Sequence, residues 1–160
     1  MALKKPLVLK SDGTGFDELQ SSDYIAVGLQ PTMANGEATT IVAGTPVYLT
    51  VTVDTVKKAK ADASGTMPCF GLMGADTATS VTGPVYTSGA LALGTTGAWD
   101  AVTGDTGGLT VGSYYYVSQA TLGMLTKTKP TGSAKYCQPI GKALDTLIMN
   151  IFIQNPTLLG

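Results

Sequence analysis

The residue types that most often carry catalysis are absent or scattered in this 160-residue chain. The sequence has no histidine, so neither a Ser–His–Asp nor a Cys–His arrangement can form. Its 11 acidic residues are dispersed, and most adjoin Gly, Thr or Ser, where Asp commonly supports turns. A pair of carboxylates on facing strands, as in a glycosidase, is the remaining catalytic alternative. We therefore expect a protein that is not an enzyme.

The residues that bind metals and cofactors are equally sparse. Cys69 and Cys137 are too few for a disulfide scaffold, and without His or a CxxC pair an ordinary zinc site is excluded. Both cysteines lie in apolar segments, which predicts buried free thiols, with a redox pair as the alternative. Asp100 and Asp105 could hold calcium, but their spacing matches no calcium loop and is typical of turn residues. Residues 104–108 are Gly-rich but lack the GxxxxGK[ST] order of a phosphate-binding loop, so we expect no cofactor.

The composition indicates a surface that carries few charges. Charged residues make up 13% of the chain, against about 25% in an average soluble domain. The net charge is −1, and the positive residues cluster only at Lys4, Lys5 and Lys10 and at Lys57, Lys58 and Lys60. Such small clusters cannot form the basic field that holds a phosphate backbone, so no nucleic-acid partner is expected. A weakly charged surface favours a protein packed against neighbours; a Thr- and Ser-rich soluble β domain is the alternative.

Neither a leader nor a membrane segment is predicted. The start of the chain, MALKKP, has charges, but Pro6 and Lys10 interrupt any apolar stretch of the kind a signal peptide needs. No apolar run approaches the roughly 18 residues that span a bilayer. We expect synthesis in a cytoplasm, retention there until assembly, and no membrane contact.

Alternating apolar and polar residues recur in short runs separated by turn-forming residues. These runs are 41–53, 67–73, 81–86, 89–93, 97–102, 109–118, 124–127, 136–140 and 146–154. They are rich in β-branched and aromatic residues, which suit strands, whereas helix signals are weak. The pattern predicts an all-β fold, a sandwich or small jelly-roll-like barrel of short antiparallel strands.

The start of the chain differs from the remainder in having few apolar groups. Residues 1–30 are predicted to form an extended N-terminal arm that could add a strand to a neighbour's sheet. A plain first strand followed by a loop is the alternative. Residues 31–160 are then a single β domain.

An internal echo runs through that domain. Gly44 and Gly112, Tyr48 and Tyr116, and Cys69 and Cys137 are three identical pairs that share one offset along the chain. This constant offset suggests two β units, each with a Gly turn, a hairpin and a small core residue. With so few identities, chance remains the competing interpretation.

The sequence resembles a known family at several short motifs. These are the opening LKKPLVL…ELQSSDYI, then AGTPVYLT, KAKADA, GLM, GLTVGSYYYVS and QPIGKALD. The pattern, from about residue 44 to 153 plus the arm, is similar to tailed-phage capsid decoration (cement) proteins, and similar modules occur in phage tail fibres. The resemblance implies a β-rich protein that assembles, often as a homotrimer, on the capsid surface with the major capsid protein as partner.

The combined expectation is a virion structural protein that stabilises the phage capsid by bridging neighbouring capsomers. The candidate contact residues are Leu7, Val8 and Leu9 in the arm and Tyr114, Tyr115 and Tyr116 in one strand. Tyr offers large area with a polar tip, and in a strand the outer two tyrosines face opposite to the middle one. The alternative function is a tail fibre or spike module that binds a host-surface glycan.

Overall fold

A computed structural model describes residues 7–9, 16–18, 30–133 and 135–160, without the side chains of the first two ranges. The described residues are mostly strands, with one short α-helix. The strands build a closed five-stranded barrel, a five-stranded antiparallel sheet and two small two-stranded sheets. The prediction of an all-β small barrel or sandwich is therefore confirmed.

The elements have the following bounds. The strands are β1 (Leu7–Leu9), β2 (Phe16–Glu18), β3 (Thr32–Asn35), β4 (Pro46–Leu49), β5 (Thr55–Lys58), β6 (Gly71–Met73), β7 (Thr82–Tyr86), β8 (Ser88–Ala92), β9 (Tyr114–Val117), β10 (Leu125–Thr126), β11 (Tyr136–Cys137), β12 (Pro139–Ala143), β13 (Ile148–Phe152) and β14 (Thr157–Leu158). A 3-10 turn covers Ser64–Thr66, and the helix α1 covers Thr96–Thr103.

The first unit is the closed barrel, with strand order β3-β5-β4-β6-β7. All neighbours in it are antiparallel except β3 and β5, whose parallel pairing closes the barrel. Val47, Val56, Met73 and Val85, one from each of four strands, form a small apolar cluster with Ile41, which lies in an isolated bridge to Thr77. Period-two alternation in short β-branched runs thus places one face of each strand in the barrel interior.

The second unit is the open sheet, with strand order β10-β9-β12-β13-β8. Position by position, its strands correspond to β5-β4-β6-β7-β3 of the first unit. The two units differ at their ends, because no pairing between β8 and β10 occurs among the described residues. The connection from β8 to β9 holds the helix α1 instead.

Strand register is also equivalent in the two units. Val47 pairs with Gly71 in the first unit, and Tyr115 pairs with Gly141 in the second. The next ladder repeats in the same way, with Met73 opposite Val85 and Ala143 opposite Met149. The two units therefore share strand order and pairing register as well as a few residue identities.

The prediction of a strand at 97–102 is wrong, because this segment lies in α1. Thr95 caps the helix start by accepting a hydrogen bond from the Ala98 N–H at 3.2 Å. Gly104 ends the helix in the left-handed conformation, with φ of 71°. Trp99 and Val102 lie one turn apart and bury one helix face, and the Trp99 indole donates to the Leu147 carbonyl at 2.8 Å. Two caps and this helical spacing outweigh the weak β propensity of the segment.

The two units pack on a single shared core. It combines residues on the outside of the barrel, such as Cys69 and Leu72, with residues of the second unit, such as Leu91, Trp99 and Ile140. Because both units contribute to this cluster, neither buries its apolar surface alone. The described part of residues 31–160 thus packs as one β body.

The remaining strands form small pairs. β1 pairs antiparallel with β2, Val8 lying opposite Asp17, and β11 pairs with β14. Residues 1–6, 10–15 and 19–29 of the predicted arm lie outside the described residues, so the arm stays a prediction. No helix in the described part is long and apolar enough to cross a bilayer.

Candidate interaction surface

The three consecutive tyrosines lie on β9, which is a central strand of the second unit. Tyr114 is 50% exposed, Tyr115 is fully buried, and Tyr116 is half-buried. Successive side chains of a strand point to opposite faces, and this alternation was expected from the sequence. β9 therefore presents Tyr114 and Tyr116 on the outer face of the sheet.

Tyr115 belongs to the core and is removed from the candidate contact residues. Its ring has no exposed surface and packs in the cluster shared by the two units. Its hydroxyl accepts a hydrogen bond from the backbone N–H of Thr110 at 2.9 Å, which satisfies the buried polar group. A partner protein cannot reach this side chain without unfolding the sheet.

Two side chains, one from the adjacent strand β12 and one from β13 beyond it, contact the Tyr114 ring. Phe152 on β13 meets it edge to face, with ring centroids 6.1 Å apart and an interplanar angle of 81°. The Lys142 ammonium on β12 lies 5.4 Å from the Tyr114 centroid, within the range of a cation–π contact. The exposed aromatic group is thus preorganised, which lowers the entropy lost when a partner packs on it.

We call the outer face of this sheet the tyrosine face. Its residues, taken from all five strands, are Ser88, Ala90, Ala92, Tyr114, Tyr116, Thr126, Lys142, Ile148, Asn150 and Phe152. Lys142 is the charged residue in this set. The side chains that β8 contributes beside β13 are small. Aromatic enrichment with few charges is the composition found at the centre of protein interfaces.

The arm candidates Leu7, Val8 and Leu9 form β1, paired with β2. Their side chains are not among those described. Their contact role, and any relation to the tyrosine face, therefore stays a prediction.

The two cysteines are buried free thiols, as the sequence predicted. The Cys69 thiol donates to the Gly71 carbonyl at 3.4 Å, and burial raises the pKa of Cys69 to about 12. A thiol with such a pKa is protonated at neutral pH, so it behaves as a small apolar group.

Asp100 and Asp105, the two residues considered as calcium ligands, make contacts that stabilise loops. The Asp100 carboxylate accepts hydrogen bonds from the backbone N–H groups of Gly107 at 3.1 Å and Gly108 at 2.7 Å. Asp105 forms an ion pair with Lys127 at 3.1 Å. Asp105 thus lies in a loop, as its neighbour Gly104 indicated, whereas Asp100 lies in α1 and its carboxylate holds the loop that follows the helix. In the part of the chain described, no cluster of three or more His, Cys, Asp or Glu residues is placed to hold a metal ion.

One exposed feature was not predicted from the sequence. The sequence predicts a strand over 41–53, but β4 covers only Pro46–Leu49 and residues 50–54 form a tight turn to β5. Asp54 takes a positive φ of 51° there, a conformation for which Asp and Asn are the commonest residues after Gly. The signal was available only in Asp54, since 50–53 contain no Gly, Pro or Asn.

Comparison of the chain with family models, with curated proteins and with solved structures found no match.

Proposed function

We propose that this chain is a virion structural protein, without catalytic activity, that decorates a tailed-phage capsid and bridges neighbouring capsomers. The observation that supports it most is the tyrosine face, a weakly charged aromatic surface on a five-stranded sheet. A face of this kind loses little entropy and desolvates few charges when a protein covers it.

The composition of the chain agrees with this proposal. A capsid filled with packaged DNA is under outward pressure, and a protein that resists it must hold adjacent capsomers through extensive contact. Only 13% of the residues in this chain are charged, so Thr, Ser and apolar groups are available for van der Waals contacts and hydrogen bonds. Such contacts also change little with the ionic strength of the surroundings.

Binding to isolated capsids tests the proposal. The double variant Tyr114→Ala, Phe152→Ala removes the preorganised aromatic pair and is expected to weaken capsid binding at least tenfold, since anchors of this type dominate interfaces. Leu144→Ala is the control, because Leu144 is 55% exposed but lies in the β12–β13 loop. Equal binding by the double variant and the control would remove the tyrosine face from the interface.

The half-exposed Tyr114 ring also supports the second candidate, a tail fibre or spike module that binds a host glycan. An exposed aromatic ring beside the Lys142 cation could pack on the apolar face of a sugar and hydrogen-bond its hydroxyls. A glycan array separates the two candidates. Specific glycan binding that is lost in Tyr114→Ala would favour the tail module over the capsid role.

A further inference from the structure

The turn between β9 and β10 in the second unit docks on the first unit. The Gly123 N–H donates to the Ala59 carbonyl at 2.9 Å, and the Ala61 N–H donates to the Ser118 carbonyl at 2.9 Å. Gly123 is buried, and a Cβ built on it would lie 3.0 Å from the Lys58 side chain. This turn therefore joins two consecutive units within one chain.

The turn between β4 and β5 in the first unit is one residue shorter but closes with an equivalent hydrogen bond. The Thr50 N–H donates to the Thr55 carbonyl at 3.0 Å, as the Ser118 N–H donates to the Met124 carbonyl at 2.9 Å. Asp54 lies directly before Thr55, and Gly123 lies directly before Met124. Both residues have a positive φ, of 51° and 73°. The two turns are equivalent parts of a repeated unit.

Only the second of these turns has a neighbour to dock on among the described residues. Residues 51–54, which we call the tip, are exposed, with Val51 at 104% and Val53 at 83% of full exposure. Single exposed valines are common, but two of them on one protruding turn form an apolar point that gains by being covered.

The repeat identifies the surface that corresponds to Ala59. Leu49 pairs with Val56 in the first unit and Val117 pairs with Leu125 in the second, so Leu125 is the equivalent of Val56. Ala59 lies three residues after Val56, and Thr128 lies three residues after Leu125, so Thr128 is the equivalent of Ala59. Residues 127–129, which we call the receiving segment, are all exposed.

We propose that the tip of one copy docks on the receiving segment of a second copy, head to tail, repeating between chains the contact that joins the two units within a chain. The Asp54 N–H then takes the role of the Gly123 N–H and donates to the Thr128 carbonyl. The charges are complementary, because the tip carries Asp54 and the receiving segment carries Lys127 and Lys129. Lys127 already pairs with Asp105, so Lys129 is the partner for Asp54.

The sequence also limits this contact. Pro130 takes the position of Ala61 and has no N–H, so the second of the two intrachain hydrogen bonds has no counterpart between copies. Leu122, which takes the position of Val53 in the docked turn, stays 47% exposed. The interchain contact therefore relies on the Asp54–Thr128 hydrogen bond and on the Asp54–Lys129 pair. A head-to-tail contact uses two different surfaces and therefore closes into a ring or extends into a filament.

Disulfide trapping between two single-cysteine variants tests the arrangement. Val53→Cys mixed with Thr128→Cys is expected to give a mixed disulfide on oxidation, whereas each variant alone stays largely uncrosslinked. The native Cys69 and Cys137 are buried and do not compete. The competing arrangement is a two-fold dimer. In it, the tip of each copy enters a cleft of about 620 Å³ that lies beside the tip of the other copy. Preferential Val53→Cys homodimers would establish it and overturn the head-to-tail contact.

Charge exchange gives an independent readout by sedimentation. Asp54→Lys is expected to weaken self-association at least tenfold, and the double variant Asp54→Lys, Lys129→Asp is expected to restore it. Val81→Asp is the control, since Val81 is 51% exposed in the β6–β7 loop and should associate as the parent chain does. A chain that stays monomeric at every concentration overturns this proposal. If that monomer still binds capsids, the capsid role stands without it.

Discussion

Gln138 links the two units through its buried side-chain amide. Its carbonyl accepts from the Cys69 N–H at 2.8 Å, and its NH₂ donates to the carbonyls of Cys69 at 3.0 Å and Gln154 at 2.9 Å. Only 1% of the residue is exposed, yet these bonds satisfy its polar atoms. A buried polar network that is fully paired fixes one relative position of the elements it joins.

Replacing this amide with an apolar group of similar size should destabilise the fold. In Gln138→Leu the buried Cys69 N–H loses its acceptor, at a cost of about 2–4 kcal/mol in the free energy of unfolding. Urea denaturation measures it. Gln154→Leu makes the same chemical change at an exposed side chain and should stay within about 0.5 kcal/mol of the parent. Equal effects of the two substitutions would show that the Gln138 bonds add nothing to stability.

Burial of the Cys69 thiol predicts a dependence of stability on alkaline pH. The pKa of Cys69 is raised from 9.0 to about 12, so the folded state keeps a proton that the unfolded state releases above pH 9. This contribution is complete below pH 9 and is lost as the pH rises, at about 1.4 kcal/mol per pH unit.

Denaturation of the parent chain and of Cys69→Ala at about pH 8 and about pH 10 isolates this effect from the other titrating groups. The stability difference between the two proteins should shift against the parent at the higher pH. An unchanged difference would mean that the thiol ionises as readily in the folded state as in the unfolded state.

Two strand glycines allow neighbouring backbone to approach closely at the same position in both units. Gly71 on β6 and Gly141 on β12 occupy equivalent ladder positions. A Cβ on Gly71 would lie 2.8 Å from the Tyr86 carbonyl oxygen, and one on Gly141 would lie 2.5 Å from the Asn150 carbonyl oxygen. Gly at such positions permits a close approach of neighbouring backbone.

Both Gly71→Ala and Gly141→Ala should therefore lower the free energy of unfolding, by about 2–3 kcal/mol each, because backbone must move to admit the methyl group. Thermal denaturation gives the measurement. Gly65→Ala is the matched control, since a Cβ there meets nothing within 4 Å. A large effect at one glycine with none at the other would show that the two units differ in packing at this position.

Several of these features could be predicted from the sequence, and the failures have local causes. Period-two alternation correctly separated Tyr115 from its two neighbours, since one face of β9 is buried. The helix α1 was not predicted because its eight residues, with Trp99 near the centre, have neither the length nor the charges of a typical helix. The tip was missed because residues 50–53 continue the strand pattern and only Asp54 marks the turn.

Closure of one unit and not the other is beyond sequence pattern altogether. It depends on the parallel pairing of β3 with β5, which joins residues that are distant along the chain, such as Ala34 and Thr55. Local periodicity carries no information on such pairing. In the second unit the connection from β8 to β9 holds α1, which contacts β10.

The molecule as a whole combines two equivalent units on one core with a weakly charged outer face. Its stability rests on contacts between the units, and its proposed role rests on contacts with other chains. Bridging capsomers requires many copies, because every local junction in the shell needs its own molecule, whereas a tail module is present in few.

The measurement that tests this role most directly is the copy number of the chain in purified virions, determined by quantitative mass spectrometry against the major capsid protein. The capsid role predicts a copy number comparable with that of the capsid protein. A copy number near that of tail components would contradict it and favour the glycan-binding tail module, and absence from virions would exclude both.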